Sequence, residues 1–164
     1  MATMKAARWH AAKDIRVEEA TIPTPNDDQV KIEVKFAGIC GSDLHEYNHG
    51  PQLIPIDAPY PLNGHQGTTT LGHEFAGVVS EVGRNVTKVK IGDRVIVEPI
   101  FRNPESPFIE SGEYNLSEPL GFVGLTANGA FAKYVVVEEY MAHKMPKSMS
   151  FEQGAIVEPA AVAA

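Results

Sequence analysis

The sequence predicts a mainly β protein, a compact barrel or sandwich with few short helices. Val30 to Lys35 alternates apolar and charged side chains, which is the pattern of a half-buried strand. The 14 glycines and 12 prolines interrupt the apolar runs at short intervals, as they do in barrels and sandwiches. A chain of 164 residues is long enough to form one domain with its own hydrophobic core.

These patterns predict six strands in chain order. They are Met4–His10, Asp14–Glu19, Val30–Ala37, Phe75–Val82, Arg94–Val97 and Ala130–Val137. Two long segments between the strands are expected to be loops. Gly50–Thr70 carries four prolines and is expected to form an ordered loop over a site, while Ile100–Asn128 has little periodicity. Loops of this length are usually either functional or mobile.

The strongest helix signal comes near the end of the chain. Ser150 and Gln153 have the spacing of a capping box, in which each side chain binds the backbone N–H of the other residue. We therefore predict a helix that begins at Phe151 and continues into Ala160–Ala164.

Charge and cysteine content narrow the possible functions. A formal net charge of −7 argues against a nucleic-acid partner, since such proteins present a basic face. The single cysteine, Cys40, excludes an internal disulfide and fits a protein of the reducing cytoplasm. The N-terminus has no long apolar run, so neither a signal peptide nor a membrane span is expected.

Four residues of metal-binding type suggest one zinc site: Cys40, the neighbouring pair His73 and Glu74, and Glu158. Catalytic zinc takes three protein ligands of these types and leaves a fourth position open. Each residue also has an ordinary explanation. An isolated cysteine is more often buried and inert, and a loop histidine more often lies at the surface. The spacing alone leaves both interpretations open.

Ser42 and His45 closely follow Cys40 in the sequence. A hydroxyl and an imidazole beside a metal could pass a proton to solvent, because histidine titrates near neutral pH. Without a metal they would be a turn serine and an exposed histidine. The other histidines lack such neighbours, so we interpret them as structural or surface residues: His10, His49, His65 and His143.

Several motifs together identify a family. Residues 72–86 read Gly-His-Glu-x-x-Gly-x5-Gly-x-x-Val, and residues 40–45 read Cys-x-Ser-x-x-His. Further matching segments are Gly92-Asp93-Arg94-Val95, Val97-Glu98-Pro99 and Val157-Glu158-Pro159. Over essentially its whole length the chain resembles the zinc-containing medium-chain alcohol dehydrogenases, and within them the enzymes that act on 2,3-butanediol.

The resemblance implies a fold and a ligand set. Residues 1–164 would form the GroES-like barrel that is the catalytic domain of these enzymes. Cys40 and His73 would bind a catalytic zinc ion. Glu158 would be the third ligand, with Glu74 as an alternative that exchanges with it or with water. Ser42 would receive the proton of the alcohol, and His45 would relay it.

The implied activity is the interconversion of a secondary alcohol or vicinal diol and a ketone, with NAD exchanging the hydride. The substrates would be small molecules, and the full-length enzyme would be a homo-oligomer. A non-enzymatic GroES-like module for metal binding or assembly is the alternative.

Two departures from the family pattern qualify these expectations. Many relatives bind a second, structural zinc ion through four cysteines in the lobe that corresponds to Ile100–Asn128. Here the corresponding residues are Asn103, Ser106, Ile109 and Ser117, so we expect one zinc ion only. The chain also contains no Gly-x-Gly sequence, which the phosphate cradle of a Rossmann domain requires. NAD would therefore be bound by a domain that follows this segment.

Overall fold

The computed structural model describes residues 1–164 and contains eight strands and four α-helices. The strands are β1 (Thr3–Ala11), β2 (Asp14–Thr21), β3 (Gln29–Ala37), β4 (Thr69–Thr70), β5 (Phe75–Val82), β6 (Arg94–Val97), β7 (Tyr134–Glu138) and β8 (Ala142–Lys144). The helices are α1 (Gly41–His49), α2 (Phe108–Ser111), α3 (Phe151–Ala155) and α4 (Val157–Ala163). All strand pairs are antiparallel, in a three-stranded sheet ordered β2-β1-β4 and a five-stranded sheet ordered β7-β3-β5-β6-β8. The predicted mainly β fold is confirmed.

None of the helices combines the length and the hydrophobicity that crossing a membrane requires.

The larger hydrophobic core belongs to the five-stranded sheet. Alternate residues of its strands are almost fully buried: Val30 and Ile32 in β3, Val95 and Val97 in β6, Val135 and Val137 in β7. This is the period of two that a sheet with one buried face requires. A second, smaller cluster packs Trp9 against Ile54, Leu71 and Leu125.

Five of the six predicted strands are confirmed within two residues at each end, and the sixth is wrong in its first half. The last predicted strand begins at Tyr134 instead of Ala130. The segment 130–133, which precedes β7, connects the two sheets. Phe131 accepts a hydrogen bond from Ala7 N–H and donates one to the Leu71 carbonyl, and an isolated bridge joins Ala6 to Ala132. Its apolar residues therefore pack between the sheets without extending β7.

The sequence showed a clear helix start only near the C-terminus, so α1, which follows directly after Cys40, was not predicted. Cys40 is the N-cap of α1, and Asp43 accepts a hydrogen bond from the Cys40 N–H at 2.9 Å. This reciprocal arrangement resembles a capping box, but cysteine is not among the residues that normally signal one. The helix has only nine residues and begins with a glycine, so its sequence signal is weak.

The predicted C-terminal helix begins as expected but is interrupted. Ser150 and Gln153 form the capping box, with Gln153 N–H donating to Ser150 Oγ at 3.2 Å. The helix then breaks at Ile156 into α3 and α4. Pro159 has no N–H to bond the carbonyl of Ala155, whereas it is tolerated in the first turn of a new helix.

The proline-rich segment Gly50–Thr70 is irregular as predicted up to Thr68, but its last two residues form β4. One buried side chain holds its beginning. Glu46, which is 2% exposed, accepts hydrogen bonds from the backbone N–H groups of Gln52 at 3.0 Å and Leu53 at 2.6 Å. Trp9 Nε1–H donates to the Glu46 carbonyl at 2.8 Å, which ties α1 to β1. The second predicted loop, 100–128, contains only α2 and a 3₁₀ turn at Tyr114–Leu116.

Candidate metal centre

Strand pairing brings two distant segments of the sequence together. In the β3–β5 pair, Ala37 lies opposite Phe75. Gly38 N–H donates to the Glu74 carbonyl at 2.7 Å, so the chain leaving β3 runs beside the chain entering β5. Gly77 permits this approach, since a Cβ at that position would collide with the Glu33 carbonyl. The residues just after β3 and just before β5 therefore face one another.

Three residues of metal-binding type converge at this junction. Ligand atoms of Cys40, His73 and Glu74 all lie within 4.8 Å of one another. His73 is 6% exposed and Glu74 is 8% exposed, while Cys40 is half-buried. Ligand atoms of one zinc ion lie at most about 4.6 Å apart, twice the length of a Zn–S bond. The cluster has about the size that one ion requires.

Backbone geometry fixes the position of His73. Gly72 has a φ of +94°, which favours glycine, and the Phe131 ring fills the space that a Cβ would take. Gly72 N–H donates to Asp43 Oδ1 at 3.3 Å. A larger residue at position 72 would both strain the turn and displace Phe131. The glycine of this motif is thus required by the turn that presents His73.

Asp43 lies behind the cluster and was not predicted as a site residue. It is 3% exposed, and its Oδ1 lies 3.8 Å from His73 Nδ1. Burial raises the pKa of the Asp43 carboxyl, although the N–H groups of Cys40 and Gly72 oppose that shift. The available sequence signal was its place three residues after Cys40, which is the capping-box spacing.

The two ring nitrogens of His73 have different surroundings. Nδ1 is buried, faces Asp43 and has no hydrogen-bond partner within normal distance. Nε2 lies 3.3 Å from Ser42 Oγ. A proton on Nδ1 would face the Asp43 carboxyl, which leaves the Nε2 lone pair available to a metal ion. Metal-binding histidines commonly use this arrangement, with a carboxylate behind the ring.

The two predicted proton-relay residues both lie on α1. Ser42 is half-buried and contacts His73, whereas His45 is exposed one turn further along the helix. Positions three apart on a helix share a face, so His45 and Ser42 lie on the same side of α1. The structure brings Ser42 to His73 and leaves His45 exposed on the same helix.

Glu158 lies outside the three-residue cluster but close to it. It is half-buried in α4, and burial together with the negative charge of Glu74 raises the pKa of Glu158. The Glu74 carboxylate itself packs against Gly38, where any Cβ would meet Glu74 Oε2. Two carboxylates near each other favour a bound cation, because a cation removes their mutual repulsion.

The donor set fits zinc. A thiol, an imidazole and a carboxylate are the ligand types of catalytic zinc sites, and calcium or magnesium sites use oxygen donors. The space that Gly38 leaves for the Glu74 carboxylate is consistent with a site shaped for an ion.

The chain is similar to known proteins over most of its length. Residues 26–147 match the family described as alcohol dehydrogenase GroES-like domain. The chain is 53% identical over 161 residues to (R,R)-butanediol dehydrogenase of Bacillus subtilis, covering 98% of this chain and 45% of that protein. The crystal structure of the 2R,3R-butanediol dehydrogenase from Bacillus subtilis superposes with a TM-score of 0.91 at 53% identity and the same coverage. The chain therefore spans somewhat less than half the length of these relatives.

Two further solved structures are similar and carry ligands. An alcohol dehydrogenase from Escherichia coli complexed with NADH is 31% identical with a TM-score of 0.84, over 98% of this chain and 44% of that one. A thermostable alcohol dehydrogenase from Pyrobaculum aerophilum with bound cobalt and zinc is 28% identical with a TM-score of 0.78, over 96% and 45%. On the match to residues 26–147 and the shared fold, this chain belongs to the alcohol dehydrogenase GroES-like domain family.

Proposed function

We propose that this chain is the zinc-binding catalytic domain of a NAD-dependent dehydrogenase that interconverts a secondary alcohol or vicinal diol and a ketone. The observation that carries the proposal is the convergence of Cys40, His73 and Glu74 within 4.8 Å. The similarity to a butanediol dehydrogenase at 53% identity supports a diol such as 2,3-butanediol as substrate. Because the relatives named are dehydrogenases, the non-enzymatic alternative is not favoured.

Cys40 and His73 would hold one catalytic zinc ion, with Glu158 as the third ligand and Glu74 as the alternative. When bound, zinc supplies Lewis-acid chemistry, which lowers the pKa of a coordinated hydroxyl and polarises a carbonyl oxygen. Asp43 would orient the His73 ring and fix its proton on Nδ1. The position of Glu74 within the three-residue cluster supports its role as the alternative ligand.

Proton transfer would be carried by the α1 side chains. Ser42 Oγ would accept the proton of the substrate hydroxyl, and His45 would pass it to solvent. The 3.3 Å contact of Ser42 with His73 and the exposure of His45 support this direction. Hydride transfer requires nicotinamide held against the carbon that is oxidised. We propose that a following domain binds NAD, so that residues 1–164 contribute the metal and the proton path.

A chimera tests this proposal. This chain would replace the corresponding segment of the Bacillus subtilis butanediol dehydrogenase, and NADH formation from (R,R)-2,3-butanediol would be followed by absorbance. We expect the chimera to reduce NAD and the 164-residue chain alone to form no NADH.

The matched control is the same chimera with Cys40→Ala, which keeps the fold but removes the thiolate. Circular dichroism and gel filtration would establish that both chimeras are folded. A folded chimera as inactive as its Cys40→Ala control would count against the proposal, as would NADH formation by the isolated chain.

A further inference from the structure

Arg94 joins the five-stranded sheet to the segment that precedes α3. Its guanidinium donates to the Met149 carbonyl at 2.6 Å and to the Lys147 carbonyl at 3.2 Å. The same group lies 4.4 Å from the centroid of the Phe151 ring, within the range of a cation–π contact. One side chain of β6 thus contacts three successive parts of the segment 147–151.

Asp93, the residue before Arg94, has other partners and forms no hydrogen bond with the segment 147–151. Asp93 forms an ion pair with Lys144 at 3.2 Å and accepts the Lys90 N–H at 3.1 Å. No carboxylate is paired with Arg94. The Arg94 guanidinium therefore binds two backbone carbonyls and one aromatic ring. Its planar shape and several N–H donors allow this combination.

The segment that Arg94 holds determines where the last two helices lie. Phe151 is the first residue of α3, and Gly154 packs so closely on the sheet that a Cβ would lie 2.8 Å from Ala76 Cβ. Glu158 follows within the first turn of α4. Between Phe151 and Glu158 lie only six residues, all in helix or at the single break at Ile156.

We propose that Arg94 is a positioning residue for the metal centre, which acts by holding the start of α3 so that α4 carries Glu158 to Glu74. The inference rests on the proposed function, since it assigns Glu158 a part in binding the metal ion. Arg94 touches neither the metal ligands nor the substrate. Its effect must pass through the backbone of residues 147–158.

The test measures Co²⁺ binding to the 164-residue chain, because Co²⁺ replaces zinc and reports its ligands through visible absorption. Arg94→Met keeps an apolar side chain against Phe151 but removes both hydrogen bonds. We expect Arg94→Met to weaken Co²⁺ binding about tenfold, the lower end of the effect of losing supporting contacts around a metal site. The visible spectrum should shift in the direction that Glu158→Gln produces.

A double-mutant cycle separates positioning from general destabilisation. In the Glu158→Gln background, Arg94→Met should produce little further loss of Co²⁺ affinity. A control variant, Arg84→Met, removes an exposed arginine paired with Asp27 far from α3 and should leave Co²⁺ binding unchanged. Arg94→Lys keeps the charge but not the fork, so it should restore only part of the affinity.

The outcomes distinguish this inference from the proposed function. If the unaltered chain binds no Co²⁺, the proposed metal centre itself is wrong. If the chain binds Co²⁺ and Arg94→Met weakens binding equally with Glu158 and with Gln at position 158, the route through Glu158 is refuted. Full restoration by Arg94→Lys would likewise overturn the positioning role, because charge alone would then suffice.

Discussion

Ser42 and Cys40 are separated by one residue, yet the structure gives them different surroundings. Cys40 contributes its sulfur to the cluster, whereas Ser42 Oγ lies beside the His73 ring at 3.3 Å. In the proposed metal centre, a hydroxyl in this place would exchange a proton with the substrate without itself binding the ion. Loss of the Ser42 hydroxyl should therefore affect the reaction more than the metal.

We predict that Ser42→Ala in the chimera retains its zinc but lowers kcat by about 10² to 10⁴, the usual cost of losing an acid–base partner. Zinc content by elemental analysis and turnover across pH would be measured on the same preparation. Ser42→Thr, which keeps the hydroxyl, is the matched control. Unchanged turnover of Ser42→Ala at every pH would rule out the relay through Ser42 and His45.

His65, by contrast, has a structural role. Thr69 Oγ1 donates its proton to the Gly67 carbonyl at 2.9 Å, so it must accept from His65 Nε2–H at 2.7 Å. This arrangement favours the tautomer of His65 that carries its proton on Nε2. Burial, with a smaller contribution from the charge of Arg8, lowers the pKa of His65 below its ordinary value.

The lowered pKa predicts how stability depends on pH. At pH values between the pKa of His65 in the folded protein and its unfolded value of about 6.5, the unfolded chain binds more protons than the folded protein. A fall in pH through this range therefore stabilises the unfolded chain relative to the folded protein. Stability from neutral His65 is thus fully present above about pH 6.5 and is lost as pH falls below it. We expect His65→Gln, which can still donate to Thr69, to reduce the fall in Tm between pH 7 and pH 5.5. An identical fall in both proteins would contradict this.

Arg102 holds the lobe of residues 100–128 to the five-stranded sheet. The guanidinium carbon lies 3.7 Å from the Tyr114 ring centroid and 4.4 Å from that of Tyr140. Arg102 also donates to Glu98 Oε2 at 3.1 Å, and its backbone N–H donates to the Tyr140 hydroxyl at 3.1 Å. One side chain thus connects the 3₁₀ turn of the lobe to residues that flank β6 and β8.

We predict that Arg102→Met loosens this lobe while the sheets stay folded. Two partly buried cation–π contacts are together worth about 1–2 kcal/mol, and each 1.4 kcal/mol corresponds to a factor of about ten in local opening. Limited proteolysis within residues 103–120 should therefore be about tenfold faster. Arg16→Met, which removes an exposed arginine paired with Asp14, is the control and should cleave at the unaltered rate.

Elements with strong local patterns were predicted well from the sequence. Apolar and charged side chains alternate from Val30 to Lys35, and the structure places Val30 and Ile32 of β3 in the larger hydrophobic core. Helix α1 was missed because its N-cap is Cys40, a residue whose capping role depends on Asp43 and on the turn that follows β3. Tertiary context, not propensity, makes this segment helical.

In the molecule as a whole, the motifs named residues that the structure brings together, but they did not predict the geometry of the candidate site. Cys40, His73 and Glu74 could be named from the sequence, but their convergence depends on the pairing of Ala37 with Phe75 across two distant strands. The same dependence explains why Asp43 was overlooked. Its importance comes from being buried behind His73, and no local pattern reveals such a contact.

The position of Glu158 could not be predicted from the sequence either. The sequence suggested it as a ligand through its residue type and through the family resemblance, and the structure places it near Glu74 but outside the three-residue cluster. Its position depends on the break at Ile156, which moves α4 relative to α3. A continuous helix, as predicted, would have directed residue 158 elsewhere.

We propose that Cys40 and His73 hold a single zinc ion in this chain. Elemental analysis of the purified 164-residue protein, after dialysis against zinc-free buffer, tests it most directly. We predict one equivalent of tightly bound zinc per chain, and none in Cys40→Ala with the fold preserved by circular dichroism. Two equivalents, no zinc at all, or one equivalent retained by Cys40→Ala would contradict the account.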